Sequence, residues 1–254
     1  MMRPEADGIL VVNKPKQLTS MDVVRVVKRV TRVKRVGHAG TLDPIATGVL
    51  PVCLGQATRF MDYLVEGGKT YHGEITLGAS TTTYDAQGEV TAEADYSGVT
   101  QADVEALLPR FMGAIMQQPP MYSAVKHEGK RLYELARAGV EIERAEREVD
   151  VYGLWLRKWD PPRIELEVRC GKGFYMRSLA HDLGEALGCH GMLSALTRSR
   201  VGPFSLDDAV AIEQFESEED WEALLEPPDA ALLELGAAAL PAACSSLTGK
   251  SSGY

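Results

Sequence analysis

Gly37-His38-Ala39-Gly40-Thr41-Leu42-Asp43-Pro44-Ile45-Ala46-Thr47-Gly48 is the stretch on which the reading of this chain turns. Three glycines and one proline set an unusual backbone path. A carboxylate sits in its middle, flanked by small and apolar residues. An aspartate before proline is also a common turn initiator. Composition alone therefore leaves two readings open, a plain turn or a loop that presents a catalytic acid. Residues 36–50 show no clean period and read as a loop leading into a turn.

The segments on either side alternate between strand and helix patterns. Upstream, Ile9, Leu10, Val11 and Val12 form a short apolar strand stopped by Asn13-Lys14-Pro15. Ser20 reads as the N-cap of a helix that carries Val23, Val24, Val27 and Val30 at helical spacing. The opposite face holds Arg25, Lys28, Arg29 and Arg32, either a solvated face or a contact for phosphates.

Downstream, Tyr71, Gly73, Ile75 and Leu77 alternate with Thr70, His72, Glu74 and Thr76, the pattern of a half-buried strand. Ile164, Leu166, Val168 and Cys170 repeat that pattern. Thr100 with Asp103 reads as a capping box before Val104, Leu107, Leu108 and Phe111. Residues 116–124 read as extended and 130–138 as helical. A break at Gly171-Lys172-Gly173 precedes a helix expected from Ser178, with Leu179, Leu183 and Leu187 on one face. Ser217 and Asp220 are expected to cap a short helix containing Leu224 and Leu225. Strands and helices mix without a strict βαβ repeat, which favours the α+β class.

The 254 residues suit one large domain, or one with a small appendage. The run Ile9–Val12 is too short for a signal peptide or a membrane span, so a cytoplasmic protein is expected. The cysteines, Cys53, Cys170, Cys189 and Cys244, form no C-x-x-C pair, so buried reduced thiols are expected and a metal site is not. The net charge is -9, but it is unevenly placed. Residues 1–60 hold ten Lys/Arg against four Asp/Glu, and residues 212–254 hold one Lys against nine Asp/Glu. Local basic surface, rather than total charge, governs phosphate binding. Gly249-Lys250-Ser251 lacks the earlier glycine of a phosphate loop, and no G-x-G-x-x-G, H-E-x-x-H or G-x-S-x-G occurs.

Five ordered blocks resolve the ambiguity at Asp43. The loop resembles the catalytic motif of the TruB family of tRNA pseudouridine-55 synthases, G-H-T-G-T-L-D-P-x-A-x-G, with Ala39 in place of threonine. Asn13-Lys14-Pro15 with Thr19-Ser20 is similar to the family's first motif. Lys69-Thr70-Tyr71, Leu77-Gly78 and Asp85-Ala86-Gln87-Gly88 resemble its next block. Gln118-Pro119-Pro120-Met121-Tyr122-Ser123-Ala124, with Lys126 and Gly129, resembles a third. Gly173-Phe174-Tyr175-Met176-Arg177-Ser178 is similar to G-T-Y-I-R-S, and Arg198 and Gly202 complete the run. The resemblance covers about residues 8–212.

It implies a pseudouridine synthase fold with a mixed, largely antiparallel sheet flanked by helices. It implies conversion of a flipped-out uridine in the T loop of tRNA to pseudouridine. That reaction gains no atoms and involves no redox change, so no cofactor is expected. The resemblance makes Asp43 the catalytic carboxylate, Arg177 its cationic partner, and Tyr71 the residue that stacks on the target base. Tyr71 has apolar strand neighbours and also reads as core. Tyr175 and Arg177, two apart in an expected extended segment, would face one side. His38 would enter the RNA loop. Lys14 and the Arg25–Arg32 stripe are expected to contact RNA backbone.

Residues 1–212 are expected to form the catalytic domain. Residues 213–254 are expected to be a short acidic extension, partly disordered, standing where many relatives carry a PUA-type domain. Expected partners are tRNA alone, with a monomeric protein and no membrane. A binding module without catalysis is disfavoured by the complete set Asp43, Tyr71, Tyr175 and Arg177. A guide-RNA-dependent synthase is disfavoured by the short tail.

Overall fold

The computed structural model describes residues 6–127, 129–140, 142–231 and 233. Their strands are β1 (Gly8–Lys14), β2 (Val36–His38), β3 (Ala46–Leu54), β4 (Lys69–Leu77), β5 (Ala79–Thr81), β6 (Val90–Glu93), β7 (Gly113–Gln117), β8 (Lys126–His127), β9 (Lys130–Arg131), β10 (Arg147–Asp160), β11 (Arg163–Cys170), β12 (Gly191–Val201), β13 (Phe204–Ser205), β14 (Val210–Ala211) and β15 (Leu225–Glu226). The α-helices are α1 (Ser20–Thr31), α2 (Met61–Glu66), α3 (Gln101–Leu107), α4 (Leu132–Arg137), α5 (Met176–Leu187) and α6 (Ile212–Ser217).

One large sheet runs in the order β14-β1-β3-β12-β4-β11-β10-β7, with β2, β13 and β15 attached to it. Among its pairs β3–β12 and β1–β14 are parallel and the others antiparallel. This is the α+β, largely antiparallel arrangement expected. The two halves of the sheet explain the two kinds of strand pattern. β1 and β3 are covered on both faces, so their residues are apolar almost without interruption. Val12, Leu50 and Val52 join the main core with α1 and α5, while Ile9, Val11, Val49 and Cys53 join a second cluster. β4 and β11 keep one face toward solvent and alternate.

α1 buries Val23, Val24 and Val27, each contributing about 1.5–3 kcal/mol, and leaves Arg25, Lys28, Arg29 and Arg32 exposed. Its N-cap is Thr19, not Ser20. The Thr19 hydroxyl accepts from the Asp22 amide and the Asp22 carboxylate accepts from the Thr19 amide. The capping box at Thr100 and Asp103 forms as expected.

Several boundaries depart from the sequence reading. Within the expected loop 36–50, residues 36–38 form β2, and residues 46–50 are strand because a strand buried on both faces has no period to read. α5 starts at Met176, before Ser178. Leu225 lies in β15, paired with β1, and not in a helix. Ile212 and Phe215 of α6 are buried in the main core. Cys53, Cys170 and Cys189 are buried free thiols. Cys244, Gly249-Lys250-Ser251 and the end of the tail lie outside the described residues. No helix of the described residues is long and apolar enough to cross a membrane.

Candidate active site

Gly48 explains how the site is assembled. It pairs with Lys14 of β1 on one side and with Arg198 of β12 on the other. Its backbone has φ +106°, and a β-carbon there would stand 2.2 Å from the Arg198 carbonyl oxygen. Only glycine lets β12 run this close to β3. Two buried cations, Lys14 and Arg198, are thereby brought to either side of the residue that follows the Asp43 loop.

The loop itself, residues 39–45, is held along its length. The Ala39 amide donates to the Pro51 carbonyl at 2.9 Å. Arg198 donates to the carbonyls of Gly40, Thr41 and Val49 at 3.1, 3.4 and 2.9 Å. The buried Ser20 hydroxyl donates to the Leu42 carbonyl and accepts from its amide at 2.8 Å. The Gln17 amide donates to the Pro44 carbonyl at 2.7 Å, and the Ala46 amide to the Asp43 carbonyl at 3.0 Å. What the loop presents is the Asp43 carboxylate, 34% exposed.

Arg177 meets that carboxylate at 2.9 Å and is itself 4% exposed. The same guanidinium donates to the Tyr122 carbonyl at 2.8 Å and lies 3.8 Å from the buried Asp85 carboxylate. Asp85 is fixed by the Thr83 hydroxyl at 2.6 Å and the Gln87 amide at 3.0 Å. Arg177 reaches Asp43 from the first turn of α5, and Tyr175 is that helix's N-cap, so the expected extended segment is corrected. Tyr175 offers no side-chain cap. The buried Gln117 amide fills that need from β7, accepting from the Tyr175 amide and donating to its carbonyl at 2.8 and 3.0 Å. Burial pushes the Tyr175 phenol up.

Tyr71 stands in β4 between Val168 of β11 and Arg198 of β12. Burial pushes its phenol up, and the Arg198 cation pulls the other way. His38 ends β2 against Val52. Burial, then the Arg198 cation, hold its imidazole below the ordinary value, and its Nδ1 is buried with no hydrogen-bond partner among the described residues.

Lys14 is not on the surface, which corrects its expected role. It is fully buried, and its ammonium donates to the Pro15 and Leu18 carbonyls at 2.8 and 2.6 Å. Burial lowers its pKa to about 8, with Asp43 opposing and Arg198 assisting. On α1, Arg25 pairs with Asp22 and Arg29 with Glu216 of α6, while Lys28 and Arg32 stand exposed.

The structure thus joins Asp43 to Arg177 directly and sets Tyr71 opposite Arg198, whose cation also bears on His38. Sequence reasoning gives no role to Gln117 and Arg198 and reads Ser20 only as a helix cap, whereas these three hold the loop and the start of α5. Their only sequence signal was position inside or beside the resembling blocks.

Known structures place this arrangement. The chain resembles that of a Cbf5–Nop10–Gar1 complex with a TM-score of 0.71 and 28% identity, over 89% of this chain and 62% of that one. It resembles a chain of an H/ACA ribonucleoprotein bound to a substrate RNA containing 2′-deoxyuridine with a TM-score of 0.68 and 25% identity. It spans about three fifths of the length of those chains. The fold is that of the pseudouridine synthases.

Residues 28–176 match the N-terminal domain model of the TruB family pseudouridylate synthases, and residues 177–233 match the C-terminal domain model of tRNA pseudouridylate synthase B. The chain belongs to the TruB family. It is 51% identical over 231 residues to tRNA pseudouridine synthase B of Symbiobacterium thermophilum, covering 90% of this chain and 76% of the relative. The namesakes from Alkaliphilus oremlandii and Clostridium tetani are 46% and 42% identical, covering 94% and 89% of this chain and 80% and 78% of the relatives.

Proposed function

We propose that the protein converts uridine to pseudouridine in the T loop of tRNA, at the position the family numbers 55, with Asp43 as the catalytic carboxylate. The observation that carries this is the pair Arg177–Asp43 at 2.9 Å, on a pinned loop in a chain of the TruB family. The reaction breaks the bond between ribose C1′ and base N1 and joins C1′ to base C5. The C5 hydrogen leaves as a proton and N1 gains one, so the atoms balance without a cofactor. Attack by Asp43 on the ribose, attack on the base and passage through a glycal are alternative routes to that product, and all need the carboxylate where the loop presents it.

Arg177 fixes the orientation of the carboxylate. Tyr71 stacks on the uracil and, with Tyr175, keeps the detached base close to C1′, which avoids the entropy loss of recapturing it. His38 enters the RNA loop as a neutral ring, which spares the desolvation of an imidazolium, and supports the flipped nucleotide. Lys28 and Arg32, flanked by Arg25 and Arg29, face the phosphates.

We take the catalytic unit to reach about residue 212, with α6 and β15 packed on it. The higher identity to proteins named tRNA pseudouridine synthase B, 42–51% against 28% to the Cbf5–Nop10–Gar1 chain, favours tRNA over a guide-RNA complex. The enzyme would act as a cytoplasmic monomer. A transcript made with C5-tritiated uridine tests the reading. One equivalent of tritium released per tRNA supports it, and RNA binding without release refutes it.

A further inference from the structure

Arg198 leads the largest fully buried side chains, at 1% exposure, yet no carboxylate among the described residues pairs with it. A buried cation held by carbonyls alone is a poor stabiliser compared with an apolar residue of similar size. Its partners are informative: two carbonyls of the Asp43 loop and one of β3, with Tyr71 directly opposite it on β4. The planar fork spans the loop and β3, while the residue itself is paired with Tyr71 of β4.

The geometry points to Arg198 as a positioning residue that sets the Asp43 loop and Tyr71 in register with each other. This rests on the activity proposed above. The parallel pair with Gly48 and the antiparallel pair with Tyr71 place Arg198 between the strand that follows the loop and the strand that carries the phenol. The loop and the phenol-bearing strand therefore meet at one side chain. A lysine keeps the charge but has a single ammonium, which cannot hold the Gly40, Thr41 and Val49 carbonyls together as the planar fork does. The same cation bears on His38, so the third residue of the site also feels it.

The test is single-turnover conversion of a tRNA transcript, with affinity and thermal melting measured on the same samples. Arg198→Lys is expected to bind tRNA within about threefold of wild type and to convert it about 100-fold more slowly, the loss that follows a misplacement of roughly 1 Å. Arg198→Lys combined with Tyr71→Phe is expected to lose less than the sum of the two single effects, because the two side chains are paired neighbours on β12 and β4. Conversion by Arg198→Lys within threefold of wild type overturns the inference. So does a loss matched by lost affinity or folded fraction, or additive losses in the double variant.

Should Arg198→Lys not fold, Gly40→Ala probes the contact from the loop side. Its methyl would stand 3.4 Å from the Arg198 Nη1, at a backbone φ of +92°. Slowed conversion with retained binding supports the brace, and an unchanged rate overturns it. The wild-type control separates the two claims. No product from wild type removes the activity itself, whereas equal rates from wild type and variant remove only the role of Arg198.

Discussion

Replacing Gly48 by alanine puts a methyl group where β12 already runs. The added carbon would stand 2.2 Å from the Arg198 carbonyl oxygen and 2.9 Å from its carbonyl carbon and its nitrogen. Carbon contacts are comfortable at roughly 3.5 Å, so β12 has to retreat by about 1 Å. The positive φ adds about 1–2 kcal/mol for any residue with a β-carbon. Forcing a methyl into a close-packed interior adds about 1–3 kcal/mol. The sum is about 2–5 kcal/mol, a large part of a net stability of about 5–15 kcal/mol. The retreat also breaks the longest brace on the loop, Arg198 to the Thr41 carbonyl at 3.4 Å. Urea unfolding followed by circular dichroism reads the first effect, and conversion rate per folded molecule reads the second. A loss of stability below 1 kcal/mol with a wild-type rate would refute the account of how the site is assembled.

Two further predictions concern charge. Burial, with Glu146 and Glu185 adding to it, pushes the Asp182 carboxyl up to about 6 from its ordinary 3.8. The folded state therefore holds the proton longer than the unfolded state, and stability is lost as pH rises from about 4 through about 6. Asp182→Asn should exceed wild type by roughly 1–2 kcal/mol at pH 7, with the gap closing near pH 4; parallel unfolding curves at the two pH values check this, and a gap independent of pH contradicts it. Replacing Arg25, Lys28, Arg29 and Arg32 together by alanine should lower the salt slope of tRNA binding by about 2, since two of the four are engaged with Asp22 and Glu216. An unchanged slope makes the stripe a solvated face.

Much of the fold was legible where burial is one-sided. β4 and β11 announce themselves by alternation because one face meets solvent, and Thr100–Asp103 because its cap is local in sequence. β3 was misread at its start because both faces are covered and Gly48 and Pro51 interrupt any pattern. The start of α5 was placed late because Gln117 supplies its capping contacts from β7. Lys14 is expected from the sequence to contact RNA backbone, whereas two nearby carbonyls and the proximity of Asp43 make its burial tolerable. In the site, Asp43, Tyr71, Tyr175 and Arg177 were named from ordered motifs. Arg198 could be aligned but not given a role, because its contacts to the Gly40 and Thr41 carbonyls exist only once β3 and β12 pair.

The most direct test of the central claim is position-resolved detection of pseudouridine in an unmodified tRNA transcript incubated with wild type and, in parallel, with Asp43→Asn. The account predicts one new pseudouridine in the T loop with wild type and none with the variant, while both bind the RNA. Product formed at a wild-type rate by Asp43→Asn would contradict the role of the carboxylate. Bound but unmodified tRNA with wild type would contradict the activity.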